Sequence, residues 1–301
     1  MGHGTRFGKY EMKELIGRGG MAEVFRAEVA VGRQKGQSVA LKRLLPNIAQ
    51  NPIMVDMFVS EADLGRQLQH ASIVQVIETG VVGETYYIAM EYVHGYNLGH
   101  LISACAERGC FLPVELVCDI IRIVAEALAY AHQAKSAQGT PLGIVHCDVT
   151  PSNVFISHAG VVKLGDFGVA QMGAVGGAME GQAVAGKAQY LSAEQIMGQT
   201  ITPATDVFAL GALFFESLTN RKAFEGKDEQ EIWHRIVEGK IEAPSTVRPG
   251  LPQALDEIVV RALLPNRDDA AESPVFNRML KALGQKRPKL YDSITALAAD
   301  L

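Results

Sequence analysis

The chain has 301 residues, of which 48% are hydrophobic, and a formal net charge of −5 at pH 7. This composition supports a packed core and excludes a wholly disordered chain; the length allows two ordinary domains or one large bilobal unit. A net negative charge gives no general attraction to nucleic acid or anionic membranes. The sequence contains no apolar run of roughly 18 residues, and its first residues lack the apolar stretch of a secretory signal, so we expect neither a membrane span nor a leader. Its four cysteines include no C-x-x-C pair, so we expect reduced thiols in a cytoplasmic protein.

Short β-type runs alternate with glycine-rich breaks in the first part of the chain. Five strands are predicted there: residues 10–17, 22–30 and 37–45, and two within residues 72–93 around a turn at Gly80 to Glu84. Between the third and fourth strands, residues 52–70 have apolar side chains at helical spacing. They place Ile53, Met57, Leu64 and Leu68 on one broad face. We expect a small, mostly antiparallel sheet with one inserted helix.

Helical periodicity dominates the chain from Gly95 onward. Five helices are predicted, in residues 113–133, 202–220, 228–239, 251–264 and 290–301. The second of these is nearly all apolar, which predicts burial on every side. The fold class is therefore α+β and bilobal. It comprises a tail at 1–9 and one domain at 10–301, divided into a β lobe at 10–92 and a helical lobe at 93–301. Ligand sites favour the cleft between such lobes.

The most informative stretch of the chain runs from Ile144 to Ala170. It predicts a strand, a polar loop and two further apolar strands that lead into Asp166-Phe167-Gly168. Asp148, Asn153 and Asp166 then lie on loops at neighbouring strand ends, where they can converge. An Asp, an Asn five residues later and a following Asp-Phe-Gly resemble the catalytic segment of protein kinases.

The resemblance covers nearly the whole chain and is to eukaryotic-like serine/threonine protein kinases of the bacterial type. Residues 17–22 resemble the glycine-rich loop, with Ala22 at the third glycine position, and Val39 to Lys42 resemble the strand that follows. Glycines allow the backbone to approach a triphosphate closely. The resemblance implies a bilobal kinase domain that transfers the γ-phosphoryl group of ATP to Ser or Thr hydroxyls of proteins.

The same resemblance implies roles for five catalytic-site residues. Asp148 would accept or orient the proton of the substrate hydroxyl, while Asn153 and Asp166 would hold Mg²⁺, with Mn²⁺ compatible with the same oxygen donors. Lys42 would hold the α- and β-phosphates, and Glu61 would fix its ammonium group. Because Glu61 shares the inner stripe of its helix, an unpaired carboxylate there would be costly, which favours the ion pair.

The nucleotide site follows from the same comparison. Met90 resembles the residue at the back of the adenine pocket, and Glu91 to Val93 resemble the hinge, whose backbone groups read adenine. The implied cofactor-binding residues are Ile16, Gly17, Gly19, Gly20, Val24, Ala40, Lys42, Met90, Glu91 and Val93.

One departure from the family pattern concerns activation. Cys147 stands where most such kinases carry an Arg that pairs with a phosphate on the activation segment. Between Asp166 and Glu194 the chain has no Thr, and its only hydroxyl residues are Tyr190 and Ser192. The Arg that would bind the phosphate and the Thr that would carry it are therefore both absent. We infer that activation-segment phosphorylation does not switch the enzyme.

A second departure concerns the charge on the transferring phosphate. Thr150 stands where the family has a Lys, and Lys187 stands where the family has a Thr that contacts the catalytic Asp. Our hypothesis is that the two residues have exchanged places, so that Lys187 joins the catalytic residues. The alternative is a solvent-exposed lysine on a mobile loop.

Three further polar residues are given supporting roles. His146 is expected to be a packed structural residue, and Asp206 to brace the catalytic loop from the start of a buried helix. Glu194 would pair with an Arg near the C-terminus, where Arg287 and Arg267 compete.

Two other functions are weighed against an active protein kinase. A pseudokinase that acts as a nucleotide-binding scaffold is suggested by Cys147, Thr150 and Ala22. A small-molecule kinase on a related fold is disfavoured by the Asp-Phe-Gly and the long helical lobe. The expected partners are protein substrates, with no nucleic acid and no membrane; weak association between two copies of the chain is left open.

Overall fold

The computed structural model describes residues 5–167, 187–264, 291 and 293–301. One lobe contains a six-stranded antiparallel sheet in the order β1-β2-β3-β4-β6-β5. Its strands are β1 (Arg6–Phe7), β2 (Tyr10–Arg18), β3 (Ala22–Val29), β4 (Ser38–Leu44), β5 (Val76–Val82) and β6 (Thr85–Glu91). Helix α1 (Pro52–Gln67) follows β4 and packs against β5. The predicted antiparallel sheet with one inserted helix is confirmed.

Strand register determines which side chains line one face of this sheet. Val24 lies opposite Lys42, and Ala40 lies opposite Met90. Because cross-strand partners and alternate residues of a strand share a face, these four side chains lie on the same side. Helix α1 covers part of that side, since its Glu61 contacts Lys42. The sheet therefore presents Val24, Ala40, Lys42 and Met90 together.

Helices form most of the other lobe, beside a small sheet in the order β7-β8-β9. In the described residues they are α2 (Leu98–Glu107), α3 (Val114–His132), α4 (Ala193–Ile196), α5 (Pro203–Thr219), α6 (Glu229–Glu238), α7 (Pro244–Val247), α8 (Gln253–Leu263) and α9 (Ile294–Asp300). The strands are β7 (Gly95–Asn97), β8 (Val154–Ser157) and β9 (Val162–Leu164). None of the helices within the described ranges has the length and apolar character to cross a bilayer.

Helix α5 is the centre of this lobe. The side chain of Thr202 accepts a hydrogen bond from the N–H of Ala204, and Pro203 occupies the first turn, so both signals favour a helix start here. Every residue from Thr205 to Thr219 is buried, and the helix packs against α3 and α8. The nearly all-apolar sequence of this segment predicted that burial correctly.

The first residues described pack onto the sheet. Strand β1 pairs with β2, and the ring of Phe7 lies edge-on to that of Tyr87 with centroids 5.6 Å apart. Glu78 of β5 accepts hydrogen bonds from Lys9 Nζ at 2.5 Å, Tyr10 OH at 2.6 Å and Tyr87 OH at 2.9 Å. These contacts join residues 6–10 to the strand at the opposite edge of the sheet. The domain boundary at residue 10 stays a prediction.

The buried face of α1 differs from the one that the apolar pattern predicts. Ile53 is 62% exposed, whereas the residues of the helix that are buried are Phe58, Glu61, Ala62 and Gly65. A Cβ added to Gly65 would lie only 2.6 Å from Cγ2 of Val76, so the glycine allows close approach of α1 to β5. The face that packs against the sheet contains a carboxylate and a glycine.

Candidate active site

The segment before Asp148 is held by a buried carboxylate. The N–H groups of His146 and Cys147 donate to Oδ2 and Oδ1 of Asp206, each at 2.8 Å. Asp206 is fully buried, and its Oδ2 also lies 2.7 Å from Nε2 of His132. Because these N–H groups are used by Asp206, residues 144–147 form no strand, and the strand predicted there is wrong. Asp206 braces the loop, as predicted.

The imidazole of His146 connects this loop to the segment that contains Asp166. Its Nδ1 accepts from the N–H of Asp148 at 3.2 Å, which leaves Nε2 to donate to the carbonyl of Gly165 at 2.9 Å. The ring also packs edge-on against Phe167, with centroids 4.5 Å apart. Both nitrogens are engaged and the side chain is fully buried. These contacts give His146 the structural role that was predicted.

The carboxylate of Asp148 is fixed through one of its two oxygens. Oδ2 accepts from Nδ2 of Asn153 at 2.9 Å and from Nζ of Lys187 at 2.5 Å. The same Nδ2 donates to the main-chain carbonyl of Asp148 at 2.9 Å. In the part of the chain that the structure describes, no donor contacts Oδ1. Asp148 can therefore present Oδ1 to a substrate while Oδ2 holds its orientation.

The ammonium group of Lys42 bridges two carboxylates. Its Nζ lies 2.5 Å from Oε1 of Glu61 and 3.2 Å from Oδ1 of Asp166. Burial alone would lower the pKa of Lys42, but the carboxylates of Asp166 and Glu61 outweigh it and raise the pKa above its ordinary value. Lys42 therefore keeps its charge inside the cleft, and the structure forms the predicted contact with Glu61.

Asp166 carries a negative charge in an uncommon backbone conformation. Its φ of 57° lies in the left-handed region, which few residues other than glycine adopt. The Lys42 ammonium lowers the pKa of Asp166 and outweighs the opposite effect of the partial burial of this carboxyl group. Lys42 contacts Oδ1 of the ionised carboxylate, and the second oxygen, Oδ2, does not contact Lys42.

The oxygen atoms at this point fit the predicted divalent cation. The amide nitrogen of Asn153 is engaged by Asp148, so the amide oxygen is the atom left for a cation. The N–H of Gly165 donates to the main-chain carbonyl of Asn153 at 2.9 Å, which brings the next residue, Asp166, near Asn153. Mg²⁺ prefers such hard oxygen donors and usually keeps waters or substrate phosphates as further ligands. Among the described residues no group of three His, Cys, Asp or Glu side chains could hold a metal. Phosphate or water oxygens would therefore complete the shell.

The glycines of the predicted phosphate loop lie at the end of β2 and in the turn between β2 and β3. Gly17 pairs with Val24 across the two strands, and the N–H of Gly19 donates to the carbonyl of Ala22 at 2.9 Å. A Cβ added at Gly20 would meet no atom within 4 Å. The protein's own packing does not require glycine at this position, and the space beside Gly20 is open to a ligand.

The remaining predicted nucleotide residues line or adjoin the cleft. Met90 is buried, and the cavity behind it, between α1 and β5, has a volume of about 10 Å³, no larger than one water molecule. Ile16 is half-exposed near the end of β2. Glu91 ends β6 with its carboxylate turned to Nζ of Lys163 at 3.0 Å, and Val93 follows in the connection to β7.

Thr150 and Cys147, which both depart from the family pattern, differ in their chemistry. Thr150 is buried, and its Oγ1 lies 2.9 Å from Oγ of Ser152, so it brings a neutral hydroxyl to the site. Burial raises the pKa of the Cys147 thiol, and the carboxylate of Asp206 raises it further. A thiol that stays protonated is unreactive. Cys147 is therefore a packed residue, with a left-handed φ of 60°.

Gln195 is a site residue that the sequence reasoning missed. Its Nε2 donates to the carbonyl of Cys147 at 3.2 Å, and its side-chain oxygen accepts from the N–H of Ser192 at 2.9 Å. Ser192 in turn accepts from the N–H of Gln195, which completes a capping box at the start of α4. The Ser-x-x-Gln spacing in the sequence was the signal that could have identified this contact.

Some predicted residues lie outside what the structure describes. Glu194 accepts a hydrogen bond from the Thr205 hydroxyl at 2.7 Å. Its two predicted partners, Arg267 and Arg287, are outside the described residues. The stretch 168–186, on which most of the activation-segment prediction rests, is outside them as well.

Comparison with known proteins places this geometry in a family. Residues 10–295 match the protein kinase domain family. The tyrosine-protein kinase MasK of Myxococcus xanthus is 32% identical over 263 residues, which cover 87% of this chain and 41% of that protein. The serine/threonine-protein kinase PrkC of Bacillus subtilis is 33% identical over 255 residues, which cover 85% of this chain and 37% of that protein. The chain thus spans about two fifths of the length of these relatives.

A solved structure supports the fold independently. The crystal structure of the Mycobacterium tuberculosis PknI kinase domain matches with a TM-score of 0.67 at 24% identity, and the match covers 99% of this chain and 97% of that chain. At this identity the likeness concerns the fold alone. The bilobal α+β architecture predicted from the sequence is confirmed.

Proposed function

The chain belongs to the protein kinase family, and we propose that it is an active kinase that transfers the γ-phosphoryl group of ATP to Ser or Thr hydroxyls of proteins. The observation that carries the proposal is the carboxylate of Asp148. Asn153 and Lys187 hold its Oδ2, while Oδ1 has no donor among the described residues. Phosphoryl transfer depends mainly on positioning and on charge neutralisation, and this arrangement supports both.

Each polar residue of the cleft has a role in the proposal. Asp148 accepts or orients the proton of the substrate hydroxyl through Oδ1. Lys42, held by Glu61 at 2.5 Å, neutralises the α- and β-phosphates. Asn153 and Asp166 would hold Mg²⁺, which Mn²⁺ could replace; when bound, the cation neutralises charge on the β- and γ-phosphates.

Lys187 is proposed as the residue that compensates for Thr150. The contact between its Nζ and Oδ2 of Asp148 supports this role, because it holds an ammonium beside the substrate-facing carboxylate. Thr150 is buried and bonded to Ser152, so it brings no charge. Lys187 would reach the γ-phosphate from the side of the cleft opposite to the usual lysine. The site would then have the same number of ammonium groups as in the rest of the family.

The nucleotide would bind between the sheet and the second lobe. The shared sheet face of Val24, Ala40, Lys42 and Met90 supports an adenine and phosphate site there. The remaining proposed nucleotide contacts are Ile16, Gly17, Gly19, Gly20, Glu91 and Val93.

The preference for Ser or Thr over Tyr rests on the relatives. PrkC is named a serine/threonine-protein kinase, whereas MasK is named a tyrosine-protein kinase. Phosphoamino-acid analysis of a labelled generic protein substrate separates the two: phosphoserine and phosphothreonine support the proposal, and phosphotyrosine alone contradicts it. The same labelled protein gives the substrate sites by mass spectrometry.

Activity without activation-segment phosphorylation is part of the proposal. The Arg that would receive such a phosphate is replaced by Cys147, whose thiol is buried among carboxylates, and the segment offers no Thr. The enzyme purified after phosphatase treatment should therefore phosphorylate a substrate as fast as untreated enzyme. A large loss of rate after dephosphorylation would overturn this part.

A nucleotide-binding pseudokinase is the second candidate. It is favoured by Thr150, which supplies a buried neutral hydroxyl where the family has an ammonium. The assembled contacts among Lys42, Glu61 and Asp166 favour catalysis instead. Measurement of ATP hydrolysis and of transfer to a generic protein substrate, with Asp166→Asn as the matched variant, separates the two. Transfer that the variant loses supports the kinase; ATP binding without transfer in the unmodified chain supports the pseudokinase.

A further inference from the structure

The end of helix α2 brings two cysteines together. The N–H of Cys110 donates to the carbonyl of Cys105 at 3.0 Å, and the N–H of Gly109 donates to the carbonyl of Ala106 at 3.0 Å. Gly109 has a left-handed φ of 63°. This pair of bonds is the Schellman motif, in which the side chains three residues before the C-cap and two after it usually touch. At both of these positions α2 has a cysteine.

The two cysteines are neighbours in space, and one thiol is open to solvent. The backbone bond from Cys110 to Cys105 holds the two residues together; burial raises the pKa of the Cys105 thiol, and the neighbouring Cys110 raises it further. Cys110 is exposed and Cys105 is half-buried, and both are free thiols. Cys118 and Cys147 have no cysteine partner among the described contacts. Among the described residues, Cys105 and Cys110 are therefore the two cysteines that lie close enough to form a disulfide.

We propose that Cys105 and Cys110 are a redox-active dithiol, which a small-molecule disulfide of the glutathione type oxidises to an intrachain disulfide. The exposed thiolate of Cys110 attacks one sulfur of the oxidised reagent and releases one reduced thiol. The thiolate of Cys105 then attacks Cys110 Sγ and releases the second. Two protein thiols are oxidised, one reagent disulfide is reduced, and the two thiol protons pass to the released thiols.

The position of the pair connects it to the rest of the helical lobe. The carbonyl of Cys110 accepts from Nδ2 of Asn220 at 2.8 Å, and Asn220 caps α5 in a left-handed conformation. At its other end α2 packs on the segment before β8: a Cβ added to Gly99 would lie 3.5 Å from Cβ of Pro151. The disulfide would cross-link the end of α2 that contacts α5, while the other end of the helix contacts the loop of Asn153, and it would not touch the residues of the proposed active site.

The test is a redox titration of the full chain with mixtures of reduced and oxidised glutathione, followed by digestion without reduction. Trypsin cleaves after Arg108, between the two cysteines, so the disulfide joins two peptides that separate on reduction. We expect this linked pair to form at oxidising ratios and to disappear at reducing ratios. Cys105→Ser should instead trap glutathione on Cys110, because the thiol that releases it is gone.

Cys118→Ser is the matched control, because Cys118 falls in the same tryptic peptide as Cys110. The linkage should persist in this variant and vanish in Cys110→Ser. The proposal is overturned if both thiols stay free at every ratio, if unmodified protein retains glutathione on Cys110, or if the linkage includes Cys118 or Cys147. Circular dichroism of each variant checks that the fold is kept. None of these readouts depends on phosphoryl transfer.

Discussion

Nζ of Lys187 lies 2.5 Å from Oδ2 of Asp148, a contact between residues that are 39 positions apart. It places a cation beside a carboxylate that is also fixed by Asn153. Lys187 is the part of the proposed mechanism that differs most from the family pattern, because Thr150 occupies the position where the family has a lysine.

Removal of the Lys187 charge should slow phosphoryl transfer more than it weakens nucleotide binding. A unit charge 4 Å from another contributes about 4 kcal/mol at an effective dielectric constant of 20. We expect Lys187→Ala to lower kcat by roughly 100-fold or more, with the Kd for ATP nearly unchanged. Steady-state kinetics and calorimetric titration measure the two quantities. An unchanged kcat would contradict the role.

The exchanged positions of Thr150 and Lys187 predict a coupled pair. Thr150→Lys/Lys187→Thr should recover most of the kcat that Lys187→Thr alone loses, because one ammonium again serves the site. A double-mutant cycle on kcat measures the coupling. Purely additive effects of the two substitutions would show that the residues act separately.

The buried pair of Lys42 and Glu61 should matter for both activity and stability. Glu61 is 5% exposed, so Glu61→Gln leaves the Lys42 ammonium with one carboxylate partner, Asp166. Loss of one partner of a buried ion pair costs about 3–5 kcal/mol; because Asp166 remains, we expect the lower part of that range. Asp63→Asn, on the exposed side of the same helix, is the matched control and should change little. Urea unfolding compares the two variants, and equal effects would contradict the account.

Asp206 should be among the most sensitive positions for folding. Asp206→Ala leaves the N–H groups of His146 and Cys147 without their acceptor in a fully buried place. Each unsatisfied buried donor costs about 1–3 kcal/mol, so we expect the two donors together to cost about 2–6 kcal/mol in the free energy of unfolding. Asp119→Ala on the solvent side of α3 serves as the control. A loss below 1 kcal/mol for Asp206→Ala would contradict the bracing role.

Glu78 predicts a pH dependence of stability. Burial would raise the pKa of this carboxyl, but hydrogen bonds from Lys9, Tyr10 and Tyr87 outweigh it and hold the pKa below the ordinary value of 4.5. A depressed folded pKa means that the stabilisation is complete above about pH 4.5 and is lost as pH falls through the folded pKa. Glu78→Gln should cost about 1–2 kcal/mol at pH 7 and progressively less below pH 4.5.

Thermal or urea unfolding of unmodified chain and Glu78→Gln from pH 3 to pH 8 tests this expectation. Glu84→Gln, at the exposed β5–β6 turn, should show no such pH-dependent difference. A gap between unmodified chain and Glu78→Gln that widens toward acid would have the wrong sign.

The order of the elements and the position of Glu61 were predictable from the sequence, because apolar spacing and turn residues report local structure directly. The face of α1 was predicted only in part: Glu61 and Leu68 are buried as predicted, but Ile53 is exposed and Gly65 is buried. The burial of Gly65 depends on Val76, which lies on another element.

The strand predicted before Asp148 failed for a related reason. Local sequence favours an extended segment there, but its N–H groups bond to Asp206, about 60 residues later. A single sequence does not report which distant carboxylate will be buried beneath a loop. The converging of Asp148, Asn153 and Asp166 could be predicted because their spacing alone resembles a known catalytic segment.

The central claim is tested most directly by the rate of phosphoryl transfer from ATP to a generic protein substrate, measured for the unmodified chain and for Asp148→Asn. The substitution keeps the size of the side chain and its place beside Asn153 and Lys187, but removes the carboxylate. We predict measurable transfer by the unmodified chain and a loss of roughly 100-fold or more in kcat for the variant, with ATP binding retained. Equal rates for the two proteins, or no transfer by either while ATP still binds, would contradict the account.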